Sequence, residues 1–422
     1  MRRVIITLAF VVTAGALHAQ HAPSGDGSTP LHWAAYHDDI AKAAALIRAG
    51  AKVDAANDIG ATPLWAACVD GSIAMVRTLL DAGANPNVRL LSGETPLMAA
   101  SRSGKPEVVA HLLKRGADPE ARATRGQTAL MWAVGQKHAS VVKALLAGGA
   151  DVHARTETWN QMMAVPPHGL PEFNRLIPQG GDTALMLAAR VGDVESAALL
   201  IAAGAQVNDQ DAWGVSATTL AAFAGHSAIV RLLLEKGADP NSNAAGFTAL
   251  HCAIMRRDEA SVAMLLASGA DPNAAIKVWT PTRRSSDDYH FMPALVGASP
   301  FWLAARFTQP GVMTLLAKHG ADPLFIHESK YVRGEGYERR TEKTTAAMAA
   351  LGMGSGTPWI RVSGAETETL ALEAVKVAAE LGVDVNAVNT DGLTALDAAR
   401  AKKLDAVAAF LESRGAVSGT AR

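Results

Sequence analysis

One threonine, or a serine in its place, sets a ruler along this chain. It falls at Thr29, Thr62, Thr95, Thr128, Thr183, Ser216, Thr248, Ser299, Thr345 and Thr394. The first three intervals are 33 residues each, and the later ones are 55, 33, 32, 51, 46 and 49. A chain bound to such a period repeats one supersecondary unit. A single unit cannot bury its apolar face alone, so the units must stack. The 422 residues are therefore not read as two or three ordinary globular domains.

The unit has a legible grammar. In Thr29-Pro30-Leu31-His32-Trp33-Ala34-Ala35 the threonine suits a helix N-cap and the proline suits the first helical position. The paired alanines are small, which lets two helices approach closely. A second helix follows, with apolar residues at helical spacing such as Val108, Val109, Leu112 and Leu113. Gly116-Ala117-Asp118-Pro119 and its counterparts end that helix. Glycine stands two residues before the threonine in nine of ten units, with Lys343 the exception. A tight turn there needs that glycine.

With this period and the Thr-Pro-Leu-His pattern, the chain resembles the ankyrin repeat family over nearly all of residues 26–417. The resemblance implies an all-α solenoid of about ten helix-turn-helix repeats, with β-turn fingers projecting from the stack. It implies that His32 and His251 hydrogen-bond finger backbones. It also implies that the residues after the paired small positions face a concave groove and meet a partner. Here those include Tyr36, His37, Asp70, Arg102, Gln136, Arg190, Phe223, Arg256, Arg306 and Phe307.

Where the ruler reads long, the chain carries insertions, near 152–180, 274–297, 324–343 and 352–365. Loops of this length are functional or disordered more often than idle. Six of the twelve tryptophans and tyrosines lie in them: Trp159, Trp279, Tyr289, Tyr331, Tyr337 and Trp359. Phe291 stands beside them. Such residues, with Arg283, Arg284, Arg333, Arg339 and Arg340 nearby, are the usual anchors of protein interfaces. Two readings stay open: the aromatics fold the insertions back onto the solenoid, or they hold a partner.

The first 19 residues read as a secretory signal peptide. Arg2 and Arg3 precede the apolar run Val4–Leu17, and cleavage is expected after Ala19. A periplasmic or secreted location is then expected, without stable membrane insertion after cleavage. Residues 418–422 are expected to form a disordered tail. The two cysteines, Cys68 and Cys252, lie five repeats apart. Repeats advance by about 10 Å each, and a disulfide needs alpha carbons within about 7 Å. Both thiols are read as buried.

Charge is balanced, 39 basic against 40 acidic side chains, so the basic surplus of a nucleic-acid binder is missing. No nucleophile elbow, phosphate loop or paired-histidine zinc motif is present. No cofactor or metal is expected. His168, Asp287, Asp288 and His290, all in insertions, are the candidates for an alternative enzyme or metal site. A structural spacer is a third reading. The preferred expectation is a monomeric, non-enzymatic scaffold that presents its groove and fingers to a protein partner.

Overall fold

The computed structural model describes residues 25–164, 174–280, 291–333, 338–356 and 358–419. The first helix pairs are α1 (Pro30–Tyr36) with α2 (Ile40–Arg48), α3 (Pro63–Asp70) with α4 (Ile73–Asp81), α5 (Pro96–Ser103) with α6 (Pro106–Lys114), and α7 (Ala129–Gly135) with α8 (Ala139–Ala147). Strands β1 (Thr158–Ala164) and β2 (Asn174–Gly180) follow. Next come α9 (Ala184–Val191) with α10 (Val194–Ala202), α11 (Ala217–Ala224) with α12 (Ser227–Glu235), α13 (Ala249–Arg256) with α14 (Glu259–Ala267), and α15 (Pro300–Arg306) with α16 (Pro310–Lys318). Strands β3 (His327–Arg333) and β4 (Glu338–Thr344) precede α17 (Ala346–Ala350) with α18 (Gly364–Glu380). The pair α19 (Ala395–Ala401) and α20 (Asp405–Ser413) closes the array.

Odd-numbered helices stack on odd and even on even, from α1 to α20. The result is an all-α repeat solenoid. The threonines cap the odd helices: the Thr95 hydroxyl accepts from Met98 N–H at 3.3 Å, and Thr62 accepts from Trp65 N–H at 3.3 Å. Ala67, Ala100, Ala189, Ala222 and Ala305 are fully buried between neighbouring odd helices. The even helices add the bulk of the core through residues such as Val108, Val109 and Leu112. Each such side chain contributes about 1.5–3 kcal/mol on burial.

The finger glycines have positive φ. Gly93 sits at φ 80°, and a Cβ there would lie 3.0 Å from the Arg122 carbonyl oxygen of the next finger. Only glycine fits that approach. Finger tips are joined by backbone bonds, as in Leu91 N–H to the Ile59 carbonyl (3.0 Å) and Thr124 N–H to the Ser92 carbonyl (2.9 Å). Lys343 escapes the glycine requirement because it lies in β4 rather than in a turn.

On the opposite edge runs an asparagine seam. The Asn241 amide donates to the Gly269 carbonyl of the next repeat at 2.9 Å and accepts from Asp271 N–H at 2.7 Å. Asn87, Asn208, Asn273 and Asn386 make the same two bonds. These asparagines follow the Gly-Ala-Asp type segments that end the second helices.

Two insertions differ from the loops expected. β1 and β2 pair antiparallel with Gln161 opposite Ile177, and β3 and β4 pair with Lys330 opposite Thr341. Ser418 and Gly419 also depart from the disordered tail expected of them. Arg400 donates to the Ser418 hydroxyl at 2.7 Å, and Gly419 N–H donates to Asp397 at 2.8 Å.

His32 and His251 tie their own finger to the next. The His251 Nε2 lies 2.9 Å from the Ala274 carbonyl, while Nδ1 accepts from Thr248 N–H at 3.1 Å. Burial pushes the His251 ring down to about 4, although the Ala274 carbonyl favours the charged form. The unfolded chain therefore takes up this proton first as pH falls from 6.5 toward 4. Stability from this ring is full above that window and lost within it, by about 3 kcal/mol. Asp211, whose carboxyl burial pushes up to about 6, acts in the opposite sense, so the test is a difference. The urea midpoint of the wild type should fall more between pH 7 and pH 4 than that of His251→Gln. Asn241→Ala should lose about 1 kcal/mol and speed amide exchange at Asp271, read by urea titration and hydrogen exchange.

Candidate functional site

Most groove residues of the first five repeats are exposed, and Arg102 is half-buried. Tyr36 and His37 are exposed at the end of α1, and the His37 ring stacks on Trp33 with centroids 6.0 Å apart. Asp70 is exposed at the end of α3. Arg102 spans two repeats. It pairs with Glu94 at 3.2 Å and lies over the Trp132 ring at 5.1 Å. Glu94 also accepts from the Trp65 indole at 3.3 Å. Burial raises the Glu94 carboxyl, and Arg102 and the indole oppose that rise. Arg190, exposed, is held by Asp182 at 3.0 Å.

The corresponding face of repeats six to eight is covered by the chain itself. Trp359, from the insertion between α17 and α18, meets Phe223 edge-on at 5.3 Å and Phe291 at 5.2 Å. Arg256 lies over the Phe223 ring at 5.1 Å and donates to the Phe223 carbonyl. Arg306 donates from Nε to the Ser355 carbonyl at 3.1 Å and from Nη2 to the Gly356 carbonyl at 2.8 Å. Two of the expected contact residues are corrected here. Phe291 is 0 % exposed and Phe307 5 %, so both pack the interior and offer no surface to a partner. Phe291 sits against Phe247 at 4.9 Å.

The insertions meet one another. Arg175 of β2 lies over Trp279 at 5.1 Å and donates to its carbonyl at 3.4 Å. His327 at the start of β3 is 2.8 Å from the Ala294 carbonyl, and the Ser329 hydroxyl donates to the Gly354 carbonyl at 3.3 Å. Trp302 donates to Thr344 of β4 at 3.1 Å. Trp159 is sandwiched under Arg125 at 3.7 Å, and the Tyr331 hydroxyl bonds Glu342 at 3.1 Å. Of the two readings of the insertion aromatics, packing is realised at Trp159, Trp279, Phe291 and Trp359.

Tyr289, Tyr337, His168, Asp287, Asp288 and His290 lie outside the described residues. Among the described residues no three histidine, cysteine or acidic side chains gather as a metal site would require. Cys68 and Cys252 are free, buried thiols that burial pushes far above their ordinary range, so neither is a ready nucleophile. The sequence reading missed Arg175 and Lys277. They line a cleft of about 430 Å³ between β2, the finger at 243–246 and the second insertion. Neither residue stands in a motif, so only the fold brings them to one place.

Comparison with known proteins agrees with this geometry. A family profile described as ankyrin repeats matches residues 8–90, 83–156 and 185–276, more than half of the chain. The chain is 46 % identical over 80 residues to an ankyrin repeat-containing protein of Treponema pallidum, covering 18 % of this chain and 27 % of that protein. It is 41 % identical over 64 residues to a mitochondrial disaggregase of Bos taurus, covering 15 % of this chain and 10 % of that protein. The chain thus spans about a quarter of the first relative's length and a tenth of the second's. Stacked helix pairs, threonine caps and this profile together place the chain in the ankyrin repeat family.

Proposed function

We propose that this chain is a non-enzymatic scaffold that binds a protein partner on the inner-helix face of its first five repeats, in an exported compartment. Ankyrin repeats are in general protein-interaction modules, which supports the scaffold reading. The observation that carries the choice of face is the contrast between its two halves. Tyr36, His37, Asp70 and Arg190 are exposed, whereas Phe223, Arg256 and Arg306 are engaged by Trp359, by the Phe223 carbonyl and by the Ser355 and Gly356 carbonyls. A surface already filled by its own chain has no area left to trade with a partner. The open half offers tyrosine, histidine and arginine on rigid helices, which lowers the ordering cost of binding.

The test is capture from the exported fraction with intact bait. The double variant Arg102→Glu, Arg190→Glu should lose a specifically captured protein by at least about tenfold, a difference of roughly 1.4 kcal/mol. Trp359→Ala, on the covered half, should retain it. The reverse pattern would move the interface to repeats six to eight. Export rests on the signal-like residues 1–19. N-terminal sequencing of the exported protein should begin at Gln20, and an intact Met1 in the membrane fraction would replace export by anchoring.

A further inference from the structure

The cleft beside β2 is a built site with no assigned occupant. Its walls are Arg175–Pro178 of β2, Trp213, residues 243–246 of a finger, and Lys277–Trp279 of the second insertion. Among the described residues no carboxylate lines it. Arg175 is half-buried with its guanidinium face on Trp279, which leaves in-plane N–H donors beyond the single long bond to the Trp279 carbonyl. Among the described residues neither Arg175 nor Lys277 is in an ion pair. Two cations that line one cleft with no counter-ion among the described residues favour an anionic ligand. A volume of about 430 Å³ is within the range of ligand pockets.

Among the described residues β2 has a strand partner on one side only; on its other edge the Gly180 carbonyl accepts from Ala212 N–H at 2.9 Å, and the edge before it carries no strand. Leu176, 57 % exposed, stands in the same wall. We infer that this cleft binds an extended peptide that adds to the β2 edge and places a carboxylate on Arg175 and Lys277, next to an apolar side chain against Leu176. Backbone bonds would supply the affinity and the two cations the selectivity. Pro178 has no N–H to give, so the pairing is confined to the residues before it. The site is separate from the groove proposed above and does not depend on it.

The test is calorimetric titration of the full chain with the acetylated, amidated pentapeptide Leu-Asp-Leu-Asp-Leu and with its Asn-for-Asp counterpart. The acidic peptide should bind at least about tenfold tighter, the usual worth of a charge-assisted hydrogen bond. Arg175→Gln and Lys277→Gln should each remove about that factor, and added salt should weaken binding. Arg102→Glu with Arg190→Glu should leave the titration unchanged. Matching circular dichroism and melting temperature exclude misfolding of the variants. Equal binding of both peptides, unaltered binding by the Arg175→Gln, Lys277→Gln double variant, or no binding at all would overturn the inference. Glutarate binding as tightly as the acidic peptide would overturn the peptide assignment.

Discussion

The bond from an asparagine to the next repeat fixes the register at five junctions of the array, those of Asn87, Asn208, Asn241, Asn273 and Asn386. A helix pair by itself leaves an apolar face open, and stacking closes it. Packing of small alanines is forgiving along the helix axis, whereas a side-chain amide that both donates and accepts is not. Asn273 shows how much the seam tolerates. It reaches Gly320 across 47 residues and still makes both bonds, so the second insertion leaves the register unchanged.

Asp54 and Glu120 stand in place of asparagine and keep only the accepting bond, from Asn85 N–H at 2.9 Å and Asp151 N–H at 2.7 Å; where His153 and Leu324 stand instead, the chain uses other means. Those are the two places followed by hairpins. Arg155 takes over at the first, donating to the Gly181 and Gln210 carbonyls at 3.0 and 2.8 Å and pairing with Asp209 at 2.7 Å. At the second, the Trp302 ring meets the tilted ring of His327 in β3 with centroids 4.2 Å apart. Each of these two fingers lengthens into a two-stranded ribbon. The ribbons and the other two insertions then build on each other, from Arg175 on Trp279 to Trp359 on Phe291. One end of that chain of contacts covers the later half of the inner face, and the other frames the basic cleft.

Much of this fold is legible in residue order, and the failures have a physical pattern. Thr95, Gly93 and Pro96 report their own conformations because caps and turns involve neighbours a few residues away. The hairpins were not legible. In β3 the inward positions are His327, Ser329 and Tyr331, and in β4 they include Glu342 and Thr344, so the period of two is written in polar residues and carries no hydrophobic signal. Phe291 and Phe307 were misplaced for a related reason. An aromatic in an insertion, or beside a groove position, has the same composition whether it turns in or out, and burial is settled by what lies above it.

The sequence by itself determined the repeat unit, its caps, its glycine turns and the positions of the insertions, because each depends on local geometry repeated at a constant period. Only the tertiary structure decided where the insertions land. Arg175 and Trp279 are 104 residues apart, and Arg306 finds its carbonyls 49 and 50 residues away. Such contacts obey no period. They follow from which elements the stacking of helix pairs brings within reach of each insertion. That is why the open half of the inner face, its covered half and the basic cleft emerge from the folded chain rather than from its order.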